Sequence, residues 1–367
     1  MEQNINHEIH FTPYKKNFRD SLLGKSNILF VVLRKILSLI ELILQNFSIS
    51  VLSYSPMYDE ARKLLIAQPD IKDVLIIASP YQLFHMGYQL KKEFPHIHWY
   101  ADYRDDWNTK ELIQPNNILE KWIKELEQRS EKKWLSNVTF AVSVSKLLCD
   151  RIHVFINRPC YCVENGFFVE EYLNLDYSLK KENYVICYTG QIYDNQQYAT
   201  FINVLNKIIP QFKPRIHVKC IFLGAAFTFK HAKKIKELTR NFEAHYTITE
   251  RVPKAEVLKI EAGSNILLMM AYGALKGIPS SKLYQYLGHL KPILLFPSDN
   301  DVIEEIINTS HCGIIANNEM ELEQALIAEI ENYLKSENSS TFAEHSKEIM
   351  EYSRENQIKK FIDLIKA

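Results

Sequence analysis

The chain has 367 residues, which is enough for two domains of about 100–200 residues, each with its own hydrophobic core. Its 44 Lys and Arg residues balance 44 Asp and Glu residues, which argues against a simple basic nucleic-acid-binding protein. Hydrophobic residues make up 47% of the chain and charged residues 24%, so a largely disordered or collagen-like protein is excluded.

The cysteines and the start of the chain both indicate the cellular compartment of the protein. The 6 cysteines form no CxxC pair and lie mostly in apolar runs, which predicts small buried side chains in a reducing environment rather than disulfides or a zinc site. The start of the chain lacks the apolar core and small-residue cleavage site of a secretory signal. We therefore expect a cytoplasmic protein.

Residues 28–47, which follow a faint strand candidate at 8–12, are apolar at 14 of 20 positions. Charges inside the segment are costly in a bilayer, so it should not span a membrane. In a helix its polar residues form one narrow stripe: Arg34, Ser38, Glu41 and Gln45. This pattern predicts a mostly buried core helix. The alternative is a helix that lies against a membrane or a lipid-linked substrate, helped by the basic residues nearby.

Short apolar runs then alternate with longer amphipathic ones. The predicted strands of the first half are 73–78, 97–101, 138–142 and 160–164, and its helices are 82–94, 117–136 and 144–155. After a polar break at 171–183, strands are predicted at 184–189, 216–223, 244–248, 265–270, 292–296 and 312–316. Helices are predicted at 197–209, 229–240, 254–261, 280–288, 301–308 and 354–366. This alternation predicts two α/β units, each with a parallel sheet covered by helices on both faces.

Glycines indicate a ligand site in the second half. Most of the 10 glycines follow position 165, and Gly190 and Gly224 end predicted strands. Ligands of doubly wound sheets bind outside the carboxyl ends of strands, where glycine lets a phosphate approach the backbone. No GxGxxG or GxxxxGK[ST] motif occurs, so a dinucleotide fold or a P-loop NTPase has no motif support.

The segment 273–288 gives the sharpest signal, because a loop enters a helix at the end of a buried strand. Free backbone N–H groups at such a helix start bind anions. Ser280 and Ser281 suit N-cap positions, whereas Lys282 in the first turn opposes the helix dipole. That placement indicates an anionic partner such as a nucleotide diphosphate; the alternative is a solvated surface lysine.

Seven segments in chain order together resemble a known family over about residues 73–367. They are Asp102–Trp107, Glu164–Phe167, Thr189–Gln191, Glu250–Pro253, Gly277–Gly288, Lys291–Leu294 and Tyr352–Gln357. The family is glycosyltransferase family 4, with its GT-B relatives of bacterial polysaccharide biosynthesis.

The resemblance implies the GT-B fold, in which two Rossmann-like, doubly wound parallel-sheet domains face a cleft. It assigns residues 1–172 to an acceptor-side domain, 180–345 to a nucleotide-sugar donor domain, and 346–367 to a helical segment that packs back on the first domain. A GT-B first domain opens with a strand and a glycine-rich turn, which residues 1–26 do not show. The alternatives are a first domain truncated at its start and a lineage that has lost this strand.

The resemblance also implies the donor-binding residues. They are Asn165, Gly190, Gln191, Arg251, Lys276, Gly277, Ser281, Lys282 and Gln285. The family usually has Glu at the position of Gln285, where it binds the ribose, and Arg and Lys soon after the glycine that matches Gly190. Because this chain lacks those cations, the charge that neutralises the diphosphate is expected from Lys276, Lys282 or Arg251.

The predicted catalytic residues of the first half are His85, Arg104 and Asp105, which follow strand ends. The alternatives are a packed helix histidine, and mutual pairing among Asp102, Arg104 and Asp105. Asn165 and Gly166 predict a turn, since both tolerate positive φ. The Asp299–Asp301 run spells DxD but precedes a helix, so we expect it to cap that helix and expect no metal.

The function expected from the resemblance is transfer of a sugar from a nucleotide-diphosphate donor to a polysaccharide or lipid-linked oligosaccharide acceptor at the cytoplasmic face of a membrane. The family is commonly retaining. No cofactor besides the donor substrate is expected. The alternatives are a degenerate GT-B protein that binds a sugar or a partner, and a nucleotide-sugar epimerase on the same fold.

Overall fold

The computed structural model describes residues 8–17, 20–109, 117–273, 275–335 and 346–367. Contacts divide the chain into two compact units, residues 1–162 and residues 163–367. The boundaries inferred from the resemblance, 172 and 180, lie slightly later in the chain.

The first unit is built on a parallel sheet of four strands in the order β1-β2-β3-β4. The strands are β1 (Asp73–Ala78), β2 (His98–Tyr103), β3 (Phe140–Ser143) and β4 (Cys160–Cys162). The helices are α1 (Ile28–Leu44), α2 (Ser55–Ala67), α3 (Leu83–Glu93), α4 (Ile118–Trp134) and α5 (Lys146–Ile156). Large aromatic side chains fill its core, among them Phe84, Trp99, Tyr103 and Trp134.

The second unit has a parallel sheet of six strands in the order β10-β9-β8-β5-β6-β7. The strands are β5 (Asn183–Thr189), β6 (His217–Leu223), β7 (Tyr246–Ile248), β8 (Ile266–Met269), β9 (Ile293–Leu295) and β10 (Gly313–Ile315). The helices are α6 (Tyr198–Phe212), α7 (Phe229–Leu238), α8 (Lys254–Ala262), α9 (Ser281–Gly288), α10 (Val302–Ser310), α11 (Glu319–Lys335), α12 (Ser346–Met350) and α13 (Arg354–Lys366).

Successive residues of β5 enter opposite cores, as they must in a sheet covered on both faces. Ile186 and Tyr188 lie in the core on one side, and Cys187 lies in the core on the other. The strand order reverses between β5 and β8, which makes the carboxyl ends of these strands the switch point where doubly wound sheets bind ligands.

The segment at 164–167 runs beside the start of α13 within the second unit. Phe167 pairs with Ser353 in a parallel bridge, and the Glu164 N–H donates to Gln357 Oε1 at 2.8 Å. A Cβ on Gly166 would lie 2.7 Å from the Tyr352 carbonyl oxygen, so the close backbone approach requires glycine here. The predicted positive-φ turn at Asn165 and Gly166 is wrong: neither residue has a positive φ, and the segment runs beside the chain at Tyr352 and Ser353 instead of turning. The packing of α13 on the first domain stays a prediction.

Two expectations at the start of the chain are also wrong. Residues 8–12 form no strand. Ile9 and Phe11, which alternate with polar residues, are exposed and pack against no hydrophobic core. Helix α1 is not a core helix, since none of its residues is buried. Its polar stripe is half-buried, with Gln45 after its end buried. One of its apolar faces points outward: Leu29, Leu33, Ile36, Ile40 and Leu44 are 43–73% exposed. Within the described ranges, no helix is long and apolar enough to cross a membrane.

Candidate functional site

The carboxyl end of β5 turns sharply at Gly190. This residue has φ +102°, in the region that favours glycine, and its N–H donates to the Leu223 carbonyl oxygen of β6 at 2.7 Å. A Cβ built on Gly190 would lie 3.5 Å from Lys282 Cε and 3.6 Å from Lys282 Nζ. The bare backbone at the strand end therefore lies beside the ammonium of a helix that starts nearby.

Helix α9 presents that ammonium from its first turn. Ser280 caps the helix by accepting a hydrogen bond from the Lys282 N–H at 3.3 Å, as the sequence predicts. Lys282 Nζ lies 3.7 Å from the centre of the Tyr188 ring, in a cation–π contact. Among the described residues it forms no hydrogen bond and no ion pair. Burial lowers the pKa of Lys282 to about 7, and the charge of Glu261 partly opposes this shift.

The carboxylate that acts on Lys282 is Glu261 of α8, which is 0% exposed. Its Oε1 accepts from the Thr189 hydroxyl at 2.6 Å, and its Oε2 contacts His289 Nε2 at 2.9 Å. Gln285 Nε2 donates to both carboxylate oxygens at 2.8 Å. The Thr189 N–H donates to the Tyr286 hydroxyl at 2.9 Å, which joins the strand end to α9 a second time. Glu261 thus links β5 and α9 around the strand end.

Other predicted donor-binding residues contact different parts of the second unit. Lys276 Nζ donates to the Asp299 carbonyl oxygen and, at 3.4 Å, to that of Asn300. The Gly277 N–H donates to the Asp301 carboxylate. The Arg251 guanidinium stacks on the Phe227 ring at 3.8 Å.

The remaining donor-side candidates lie nearer the strand end or on the surface. Gln191 Nε2 donates to the Thr228 hydroxyl at 3.2 Å, Ser281 is exposed, and Asn165 is half-buried. Of the predicted set, the structure groups Gly190, Lys282 and Gln285 around one point. Lys276 and Arg251 have partners outside that group, so the interaction expected of either cation with the diphosphate has no support from these contacts.

The Asp299–Asp301 run serves the start of α10, as expected, although the cap differs in detail. Asp301 occupies the N-cap position without a side-chain cap hydrogen bond. The Asp299 carboxylate accepts from the N–H groups of Ile303 and Glu304 at 2.9 and 3.0 Å instead. No group of three or more His, Cys, Asp or Glu side chains suited to a metal ion occurs in the described part of the chain.

The first-unit candidates do not form one cluster. His85 is fully buried and stacks on Trp134, with ring centres 5.0 Å apart, which matches the packed-histidine interpretation. Burial lowers the pKa of His85 to about 4, and Lys133 adds to the shift. Arg104 Nε and Nη2 donate to Asp102 Oδ2 at 2.9 and 2.6 Å, whereas Asp105 is exposed.

Sequence reasoning missed Glu261 and His289. A signal for Glu261 was present, because it shares the apolar face of α8 with Val257 and Leu258, four and three residues earlier. A charge on such a face needs partners, which here come from two other elements. His289 directly follows α9 and carried no comparable signal.

No protein-family model matches the chain, and no curated protein is significantly similar to it in sequence. Solved structures do match. A glycosyltransferase from Rickettsia africae has a TM-score of 0.59 at 13% identity, over 84% of this chain and 79% of its own. HepE from Anabaena in complex with UDP has a TM-score of 0.58 at 11% identity, over 83% and 81%. A candidate UDP-N-acetylglucosamine 2-epimerase from Listeria monocytogenes has a TM-score of 0.51 at 10% identity, over 86% and 78%. This likeness confirms the expected fold class: the chain consists of two parallel-sheet α/β domains of the GT-B type.

Proposed function

We propose that the protein is a glycosyltransferase that moves a sugar from a nucleotide-diphosphate donor, with the nucleotide bound by the second unit. The observation that carries this proposal is the Lys282 ammonium, which lies beside the bare backbone of Gly190 and has no anionic hydrogen-bond partner among the described residues. A partly buried cation in such a place is stabilised by a ligand that brings negative charge.

The site suits a diphosphate in two ways. The positive end of the α9 helix dipole and the Lys282 ammonium can attract the same phosphate oxygens. The departing diphosphate gains negative charge during sugar transfer, so a cation held there lowers the barrier to transfer. Gln285, one turn further along α9, is the proposed partner of the ribose. The UDP bound in the structure of HepE gives the proposal a precedent on this fold.

The acceptor belongs to the first unit in this proposal, with the exposed Asp105 and the half-buried Arg104 as candidate contacts. Its proposed class is a polysaccharide or lipid-linked oligosaccharide precursor. The outward apolar face of α1 supports this class, because a helix with its polar stripe turned inward and Lys35 on its exposed surface suits a membrane interface. Retention of the anomeric configuration is proposed from the family resemblance.

Thermal unfolding with a panel of nucleotide sugars tests the donor. UDP-glucose, GDP-mannose and ADP-glucose are added to the purified protein, and a ligand at 100 times its Kd should add about 2.7 kcal/mol of stability. A labelled form of the stabilising donor is then incubated with a lipid-linked sugar, and transfer into the lipid fraction and the anomeric configuration of the product are measured. If no nucleotide sugar stabilises the chain, the proposal is wrong.

Two alternatives give different results in the same experiments. A nucleotide-sugar epimerase would convert UDP-N-acetylglucosamine without an acceptor, a possibility favoured by the candidate epimerase among the structural neighbours. A degenerate binding protein would be stabilised by a nucleotide sugar yet neither transfer nor epimerise it. Conversion without acceptor, or binding without turnover, would each overturn the transferase proposal.

A further inference from the structure

Glu261 has a fully buried carboxylate that accepts hydrogen bonds from three side chains of other elements. Thr189 lies at the end of β5, Gln285 on α9, and His289 just after α9. A buried carboxylate is costly unless it is fully hydrogen-bonded, and a surface position would spare that cost. Packing alone therefore does not explain why a carboxylate lies between the strand end and α9.

The contact with Gln285 fixes which end of that side chain faces away. Only the amide nitrogen of Gln285 can donate, and it lies 2.8 Å from both oxygens of Glu261. The carbonyl oxygen Oε1 therefore points away from the carboxylate. With the amide held in this orientation, the half-buried Gln285 side chain offers its carbonyl oxygen as a hydrogen-bond acceptor. A ligand hydroxyl can donate to that oxygen.

The same carboxylate acts on Lys282 through space. Burial disfavours the charged ammonium, and the negative charge of Glu261 favours it. The other groups facing Lys282 from β5 are the Tyr188 ring and the Cys187 thiol, and neither carries a charge at neutral pH, since burial raises the pKa of the Cys187 thiol to about 12. Glu261 is the anion that favours the charged ammonium before a ligand binds.

We propose that Glu261 is the positioning residue of the nucleotide site, which turns the side-chain carbonyl oxygen of Gln285 toward a ribose hydroxyl and favours the charged form of Lys282 for the diphosphate. This inference rests on the proposed function. It also explains why position 285 holds an amide: a second carboxylate 2.8 Å from Glu261 would place two like charges in a buried site. Exchanging the Glu261 carboxylate and the Gln285 amide should therefore weaken nucleotide-sugar binding less than changing either residue alone.

The test compares Glu261→Gln, Gln285→Glu and the exchanged double variant E261Q/Q285E with wild type. Glu256→Gln is the matched control, since Glu256 is an exposed residue of the same helix. Affinity for UDP-glucose, GDP-mannose and ADP-glucose is first measured by calorimetry with wild type, and the tightest donor is used throughout. Each single variant at the pair should bind it at least about tenfold more weakly, because a hydrogen bond involving a charged group is lost. The double variant should recover most of that loss.

The dependence of nucleotide-sugar affinity on pH distinguishes a positioning role of Glu261 from a purely structural one. A nucleotide sugar keeps a constant diphosphate charge near neutral pH, so the profile reports protein groups. Wild-type affinity should fall as pH rises through about 7, where Lys282 loses its proton in the free protein. In Glu261→Gln that midpoint should move to lower pH, since the supporting charge is gone, and the double variant should move it back.

The outcomes are distinct. If wild type binds none of the three donors, the proposed function fails. If wild type binds one and Glu261→Gln matches Glu256→Gln in affinity and midpoint, the positioning role is wrong. A variant that only unfolds at lower temperature, with an unchanged midpoint, would likewise show that Glu261 is purely structural.

Discussion

At the scale of the residue, Lys282 and Lys276 are a natural pair for comparison, because both are cations near the start of α9. Lys282 Nζ lies on the Tyr188 ring without a hydrogen bond among the described residues, whereas Lys276 Nζ donates to the carbonyl oxygens of Asp299 and Asn300. We expect Lys282→Ala to weaken binding of the nucleotide sugar by roughly 1.5–3 kcal/mol, the range for a charge-assisted bond.

Lys276→Ala, the control, should cost about 1 kcal/mol or less, as for an exposed charge. Calorimetry with one donor measures both variants. Equal affinities of wild type and Lys282→Ala would show that the anion site lies elsewhere, and would favour the degenerate, non-catalytic alternative.

The pH dependence of binding gives a second prediction for Lys282. Its pKa in the free protein is lowered to about 7, so the ammonium is charged below that pH and neutral above it. A bound diphosphate favours the charged form, and affinity is therefore highest at low pH and falls as pH rises through about 7. The profile of Lys282→Ala should lack this step, which calorimetry across the pH range can check. A step that survives the substitution would assign the titration to another group.

Local sequence signals predict part of the candidate site, whereas contacts between residues distant in the chain could not be predicted. The place of Lys282 in the first turn of α9 was predictable, and a cation there contradicts a local rule. Its anionic partner stays a prediction. The helix cap at Ser280 follows from the same local logic. The network of Glu261 was not predictable, since its partners at positions 189, 285 and 289 lie far away in the chain and only the folded sheet joins them. His85 shows the converse: a residue that follows a strand end in sequence is fully buried against Trp134.

At the scale of the element, the strands were the easiest to predict. Short apolar runs identify all ten strands of the described chain to within about two residues, because parallel strands are buried on both faces. Helices α2, α11 and α12 were not assigned. The stripe of Leu322, Leu326 and Ile330 on α11 was present in the sequence, whereas α12, of 5 residues, is too short to show a period. The orientation of α1 failed because periodicity gives a polar stripe but not which side of it faces the protein.

The junction between α9 and the segment after β4 gives a stability prediction. A Cβ on Gly288 would come within 2.4 Å of the Tyr172 ring, whose hydroxyl donates to the main-chain carbonyl oxygen of Gln285 at 3.0 Å. Gly288→Ala should therefore destabilise the protein by roughly 1–3 kcal/mol through overpacking. Chemical denaturation measures the change in the free energy of unfolding.

The control is Gly263→Ala at the end of α8, where a Cβ would meet its nearest neighbour at an ordinary 3.6 Å. It should be close to neutral. Equal stability of the two variants would mean that the ring of Tyr172 moves aside at no cost.

Helix α1 gives a second prediction at this scale. Its outward apolar face should bind vesicles that contain anionic lipids, and most strongly at low salt, where the nearby Lys residues attract the surface. The double substitution Ile36→Glu and Ile40→Glu should weaken vesicle binding by about tenfold or more per residue, because each removes an apolar side chain from the interface. Co-sedimentation at two salt concentrations measures the effect.

Val154→Glu is the control for this experiment, since Val154 is an apolar residue of α5 that is 80% exposed. Its vesicle binding should equal that of wild type. A wild-type protein that stays in the supernatant with anionic vesicles would contradict a membrane role for α1.

At the scale of the whole molecule, the two units have different tasks in the proposed reaction. The second unit has the Rossmann-type strand order and the candidate site at its switch point, while the sheet described in the first unit has four strands and its strand-end histidine is buried. A nucleoside diphosphate without a sugar should therefore bind mainly to the second unit.

Hydrogen exchange with and without saturating UDP tests this division on the intact chain. We expect the strongest protection at residues 189–192 and 280–286, because the ligand would contact the strand end after β5 and the start of α9 directly. Lys282→Ala at the same UDP concentration should show less protection in both segments, in proportion to its lower occupancy. Protection that is strongest in β2 or β3 of the first unit would place the nucleotide there, and would overturn the division of tasks together with the assignment of Lys282.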